Sequence, residues 1–250
     1  MGLTIHYSLK YDGRQGDARR LLDQLHSRAR DLPVAEVSEI VELSGADCDS
    51  EQRERDDPLR WLLIQAGHYL ELPSKGNVHV QAHVLPTHLI AFETMPGEGS
   101  EPANFGLCRY PATIGVNDNR HPDGQVRRRT GLSGWRWGSF CKTQYASSLE
   151  CGGVQNFLKC HLAVIRLLDR AKELGILENV GDEGDYWGKR DIQSLAKEVG
   201  EWNSMIANFA GQLKDQLGDG VEAPITKFPD FEHLEAKGRD AEDRRTKRRT

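Results

Sequence analysis

WRWGSFCKTQYASSLECGGVQNFLKCHLAVIRLLDRAKELGILENVGDEGDYW, residues 135–187, is the stretch that decides the fold. Three of the five Trp and three of the five Cys in the chain lie inside it. Ser139 to Tyr145 reads as a strand, and Gly152-Gly153 as a tight turn. From Val154 to Leu174, Phe157, Leu158, His161, Ile165 and Leu168 fall on one stripe, the spacing of an amphipathic helix. Gly175 suits the left-handed position that ends such a helix. Ile176 to Val180 then predicts a second strand, giving one βαβ unit.

The N-terminus repeats the pattern. Leu3 to Tyr11 places Ile5, Tyr7 and Leu9 on one face and Thr4, His6, Ser8 and Lys10 on the other, a half-buried strand. Asp17 is placed to cap a helix bearing Leu21, Leu22, Leu25, Ala29 and Leu32, and Pro33 stops it. Val34 to Leu43 reads as the next strand. Two βαβ-like units thus flank the middle of the chain, as a pseudo-duplication would leave them.

Between them, Val78, Val80, Ala82 and Val84 alternate with His79, Gln81 and His83, the clearest strand pattern in the sequence. His88 to Met95 and Phe105 to Tyr110 follow closely, which predicts antiparallel pairing. Asp57-Pro58 suits a helix start. The alternation of His68 to Leu72, however, leads us to read Trp61 to Leu72 as strand. Residues 112–134, with Asn117-Asp118-Asn119 and Arg127-Arg128-Arg129, read as a long irregular loop. Asp191 is placed to cap a helix whose apolar residues recur from Ile192 through Leu217. The expected fold is α+β: a mixed, largely antiparallel sheet with about three helices mainly on one face. We expect one domain over residues 1–225, with a two-lobed division near 112–134 as the alternative. Residues 226–250 are expected to be an extended segment ending in a disordered basic tail.

Hydrophobic residues make up 38% of the chain and charged residues 28%, and no apolar run approaches the ~20 residues of a membrane span. The N-terminus lacks the basic-then-apolar pattern of a signal peptide. Five scattered cysteines without metal-ligand pairing favour reduced thiols and a cytoplasmic location. The net charge is −5, but residues 237–250 hold seven basic against three acidic residues, +4, which leaves −9 for the body. An acidic body argues against a dedicated nucleic-acid-binding domain. No CxxC, HExxH, EF-hand, Walker or dinucleotide-binding spacing is present, so no metal and no cofactor are expected. His79 and His83 point the same way on a strand but lie roughly 13 Å apart, too far to share an ion.

Three chemistries remain. The first is a binding cleft on the polar sheet face, with His6, Lys142 and Gln144 exposed on it, Asp182 and Glu183 at its rim, and His79, Gln81 and His83 joining it. Tyr186 and Trp187 would form a lid over it or, more simply, a staple at the entry to the following helix. The partner would be a small molecule or a protein. The second is a cysteine nucleophile. Cys151 precedes a helix whose amides would stabilise a thiolate, although His161 lies about 15 Å along that helix. Cys141 with His161 is the other candidate pair. The third is weak nucleic-acid binding, with Arg127, Arg128 and Arg129 supplying charge and Trp135 and Trp137 stacking surfaces.

Overall fold

The computed structural model describes residues 3–73, 79–117 and 124–201. The expected continuation of the last helix to Leu217 and the basic tail lie outside the described residues.

The main sheet has seven strands: β1 (Thr4–Tyr11), β2 (Glu36–Val37), β3 (Val41–Ser44), β6 (His88–Met95), β7 (Ala103–Arg109), β10 (Trp135–Lys142) and β11 (Leu177–Asp182). Their order is β11-β1-β10-β7-β6-β2, and β3 continues the outer edge on β6 beside β2. Every neighbouring pair is antiparallel. The expected βαβ units are nonetheless present. β10 and β11 each run antiparallel to β1, which lies between them, so they are parallel to one another, joined by α3 (Gly153–Glu173). β1 and β2 are separated by four antiparallel steps and are also parallel, joined by α1 (Gln15–Arg30). Each helix crosses over at least one intervening strand.

The alternation of β1 and β10 places their buried residues in register. Ile5 lies opposite Cys141, Tyr7 opposite Ser139 and Leu9 opposite Trp137. The indoles of Trp135 and Trp137 are fully buried, while Arg136, Gly138 and Phe140 between and beyond them face out. α3 closes this side with Phe157, Val164, Ile165, Leu167 and Leu168, all buried, each contributing roughly 1.5–3 kcal/mol by removal from water. It ends as Gly175 predicts: Gly175 adopts φ 71°, its N–H donates to Lys172 O, and Ile176 N–H donates to Ala171 O, the paired bonds of a Schellman cap.

Three expectations are corrected. Residues 59–66 form a helix, α2 (Leu59–Ala66), and only His68–Pro73 is strand, β4. Asp57 Oδ1 accepts from Leu59 N–H and so opens the helix, and Leu62, Leu63 and Ala66 give it a buried face. Secondly, β5 (His79–Val84) does not enter the main sheet but pairs with β4 as a separate two-stranded hairpin. Thirdly, 112–134 is not wholly irregular. β8 (Thr113–Asn117) and β9 (Gln125–Arg129) pair antiparallel within it, with Ile114 opposite Arg128.

After β11 come a one-turn helix, α4 (Tyr186–Lys189), and the described part of α5, residues 192–201. Asp191 caps α5: its Oδ1 accepts from Gln193 and Ser194 N–H. None of the described helices is long and apolar enough to cross a membrane.

Candidate functional site

The two faces of the main sheet are covered differently. Phe92 of β6 packs edge-on against His26 of α1, ring centroids 5.0 Å apart. Its neighbour Glu93 points the other way, into a cleft it shares with Trp61 and Ile64 of α2. α1 therefore lies on one face and α2 on the opposite one. Between α2 and strands β6, β7 and β10 lies a cleft of about 620 Å³. Pro58, Trp61 and Ile64 form one wall, and Pro102 and Phe140 the other. Trp61 is 70% exposed and Phe140 48%, so two large apolar side chains flank an open site. Such residues standing together mark a binding surface more often than residues standing singly.

The polar groups of the cleft converge on Asn104. Its backbone carbonyl accepts from Tyr7 Oη and from Trp137 Nε1, both at 2.8 Å. Its side-chain Nδ2 donates to Gln65 Oε1 at 2.7 Å. Gln65 Nε2 in turn donates to Ser139 Oγ at 2.8 Å. Asn104 is 7% exposed, yet its Oδ1 has no hydrogen-bond partner among the described residues. A buried acceptor left this way costs about 1–3 kcal/mol. Burial pushes the Tyr7 hydroxyl well above its ordinary pKa, against an opposing bond from Ser139, so it stays a proton donor. Burial also raises the Glu93 carboxyl, and nearby Glu36 adds to the effect.

A second polar node lies on the α3 side. Thr143 Oγ1 and His161 Nδ1 are 3.0 Å apart. His161 Nε2 lies 3.2 Å from Asp182 Oδ1, a bent approach that falls short of a hydrogen bond. Asp182 Oδ1 also accepts from Gly184 N–H, and Oδ2 from Trp187 N–H. Burial alone would raise the Asp182 carboxyl; the His161 imidazole and these two amides outweigh it and hold the group below the usual carboxylate value. The sequence of hydroxyl, imidazole and carboxylate resembles a catalytic relay. Thr143 and His161 are fully buried, however, and the Asp182 side chain is 1% exposed. The node has no route to a substrate and braces β10, α3 and the turn after β11 against one another.

The residues expected on the polar face separate accordingly. His6 is exposed, paired across the ladder with Phe140, and their rings lie 5.9 Å apart, at the border of the cleft. Lys142 N–H donates to Glu101 Oε2, and its ammonium lies 4.6 Å above the Tyr145 ring. Gln144 is buried in a 3₁₀ turn, Gln144–Ser147, and not exposed on a strand. Asp182 belongs to the His161 node. Glu183 Oε2 accepts from Thr4 N–H. Tyr186 and Trp187 lie under the Arg190 guanidinium, at 5.8 and 4.5 Å, and Arg190 makes a two-pronged pair with Asp169 of α3. They fasten α4 to α3. His83 stacks on Tyr69 within the β4–β5 hairpin, apart from the main sheet.

Cys141 and His161 have different partners. The Cys141 thiol is buried and donates to Glu101 O at 3.1 Å, and burial pushes its pKa far up. Cys151 is half-buried at the end of a 3₁₀ turn ahead of α3, and no histidine hydrogen-bonds to it among the described residues. Arg127 and Arg129 are exposed on β9. Trp135 and Trp137, the stacking surfaces expected beside them, are core residues whose indole N–H groups donate to Gly13 O and Asn104 O.

Trp61, Ile64, Gln65, Glu93, Glu101, Asn104 and Phe140 were not singled out by sequence. A helical reading of 59–66 would have flagged Trp61, Ile64 and Gln65, which at i, i+3 and i+4 share one face. No metal-capable cluster of His, Cys, Asp and Glu occurs among the described residues.

No family model, curated protein or solved structure matches this chain. What stands in place of a family is an α+β architecture with an open cleft between α2 and the sheet.

Proposed function

We propose that the protein binds a small organic molecule in the cleft between α2 and the sheet. The observation that carries this is the Oδ1 of Asn104: a buried acceptor without a partner among the described residues, in a cleft walled by Pro58, Trp61, Ile64, Pro102 and Phe140. Native proteins leave few such groups unpaired, and ligand sites are mostly apolar with a few convergent polar atoms. His6, predicted as a binding residue, borders the cleft through Phe140. All five cysteines are free thiols, which suits a reducing compartment such as the cytosol.

The test is a fragment screen by thermal shift on the full-length protein and on Trp61→Ala. Binders of the native state raise Tm in proportion to ligand concentration over Kd. The expected result is a set of hits whose Tm shift disappears in Trp61→Ala. Hits that shift both proteins equally, or a screen with no hits, would remove the cleft as a ligand site.

A further inference from the structure

We infer that the ligand of this cleft is a protonated amine carried on a flat apolar body. The inference rests on the cleft being a ligand site and goes further by naming the chemistry that fits it.

The free polar groups in the cleft are all acceptors. Glu93 of β6 and Asn104 of β7 are directly paired across the ladder, so their side chains leave the sheet on the same face as neighbours. Asn104 Nδ2 is taken by Gln65, and both arms of the Gln65 amide are taken by Asn104 and Ser139. What is left to a ligand is Asn104 Oδ1, the carboxylate of Glu93 and the second oxygen of Glu101, whose Oε2 accepts from Lys142 N–H. Glu93 has no hydrogen bond or ion pair for its carboxylate among the described residues, although it is half-buried. Among the described residues, no Lys, Arg or His lines the cleft.

An ammonium group matches this set. It carries three donors and no acceptor, so one N–H can satisfy Asn104 Oδ1 while another bonds a carboxylate. Its charge compensates Glu93, whose charged form burial disfavours. Trp61 and Phe140 offer ring faces to the apolar body, and a ring face also attracts a cation. A carboxylate ligand would meet two like charges and an unmatched acceptor. A neutral alcohol would supply only one donor.

The experiment uses three probes with the same indole body: tryptamine, tryptophol and indole-3-acetate. Each is titrated calorimetrically into the full-length protein near neutral pH and low salt. Tryptamine is expected to bind about tenfold or more tighter than tryptophol, as one charge-assisted hydrogen bond provides, and indole-3-acetate not at all. Glu93→Gln should erase the preference for tryptamine over tryptophol. Trp61→Ala should abolish binding of every probe. Equal or tighter binding of tryptophol or indole-3-acetate, lost in Trp61→Ala, would overturn the amine while keeping the cleft. Fragments of other chemistry that bind in a Trp61-dependent way, with tryptamine silent, would do the same. No Trp61-dependent binding of any compound would overturn both.

Discussion

Two polar clusters flank the same sheet, each with one buried atom unpaired, His161 Nε2 in one and Asn104 Oδ1 in the other, and they differ in access. Around His161 the partners all come from the chain itself: Thr143 on one ring nitrogen, Asp182 by the other, and two backbone amides on Asp182. Around Asn104 a longer network, running through Tyr7, Trp137, Gln65 and Ser139, stops one atom short of completion. The first cluster is sealed and the second opens on a cleft. The lesson is about where to look for function. A sealed cluster stabilises the fold, even when its residue types imitate a catalytic relay. An incomplete cluster at an opening is costly to the fold and is where a ligand could supply the missing partner.

The largest effect that would break this contrast is at Asp182. Asp182→Ala leaves the amides of Gly184 and Trp187 without their acceptor and removes the carboxylate beside His161, and should destabilise the protein by about 3–5 kcal/mol in urea unfolding. Binding in the cleft, on the other face, should be unaffected where the variant is folded. The acid limb of the stability curve carries the same information. The Asp182 carboxyl lies below its ordinary value in the folded state, so the unfolded chain binds the proton more readily. Its stabilisation is therefore complete above the ordinary carboxylate range and is lost as pH falls below about 4. Asp182→Ala should flatten that limb; an unchanged limb would show that Asp182 does not carry it.

Trp61→Ala is the converse. With 70% of the residue exposed, its removal should change stability by less than about 0.5 kcal/mol. Ligand affinity should fall at least tenfold, about 1.4 kcal/mol. A large loss of stability with unchanged binding would reverse the roles assigned to the two clusters.

Asn104→Leu sharpens the comparison. The substitution removes the bond to Gln65, about 1 kcal/mol net, together with the orphan acceptor, which costs about 1–3 kcal/mol. The unliganded variant should thus be nearly neutral or slightly more stable, and should fail to bind. Destabilisation beyond about 2 kcal/mol would mark Asn104 as structural.

The fold was legible wherever a strand or helix shows its period in full. β1, α1 and α3 all follow from their alternation or apolar stripe, and Gly175 ends α3. Period tells which side a residue faces, and not which partner it meets. β5 has the cleanest alternation in the chain and still pairs only with β4. In the same way, Trp135-Arg136-Trp137 was read as cations interleaved with stacking surfaces. On β10 the same alternation directs both indoles into the core and the guanidinium outward. α2 was missed because the strand pattern of His68 to Leu72 was extended back over it, against the start signal at Asp57-Pro58. The cleft was invisible for a different reason. Its walls come from residues 58–65, 93, 101–104 and 140, and only the antiparallel ladder brings them together.

The smallest effect concerns the cysteines, and it isolates the rival chemistry from the fold. Cys141 is fully buried with its thiol pKa pushed up, whereas Cys151 is half-buried in a turn. On the native protein Cys151 should therefore be alkylated faster than Cys141. Cys151→Ser should alter stability by less than about 0.5 kcal/mol and leave tryptamine affinity unchanged. The measurement is a pH series of alkylation read by mass spectrometry. Fast reaction of Cys151 below pH 7 would reveal a thiolate that the surrounding groups do not account for. It would move the search for chemistry from the cleft to the start of α3. Slow reaction leaves the unpaired oxygen of Asn104 as the feature that function has to explain.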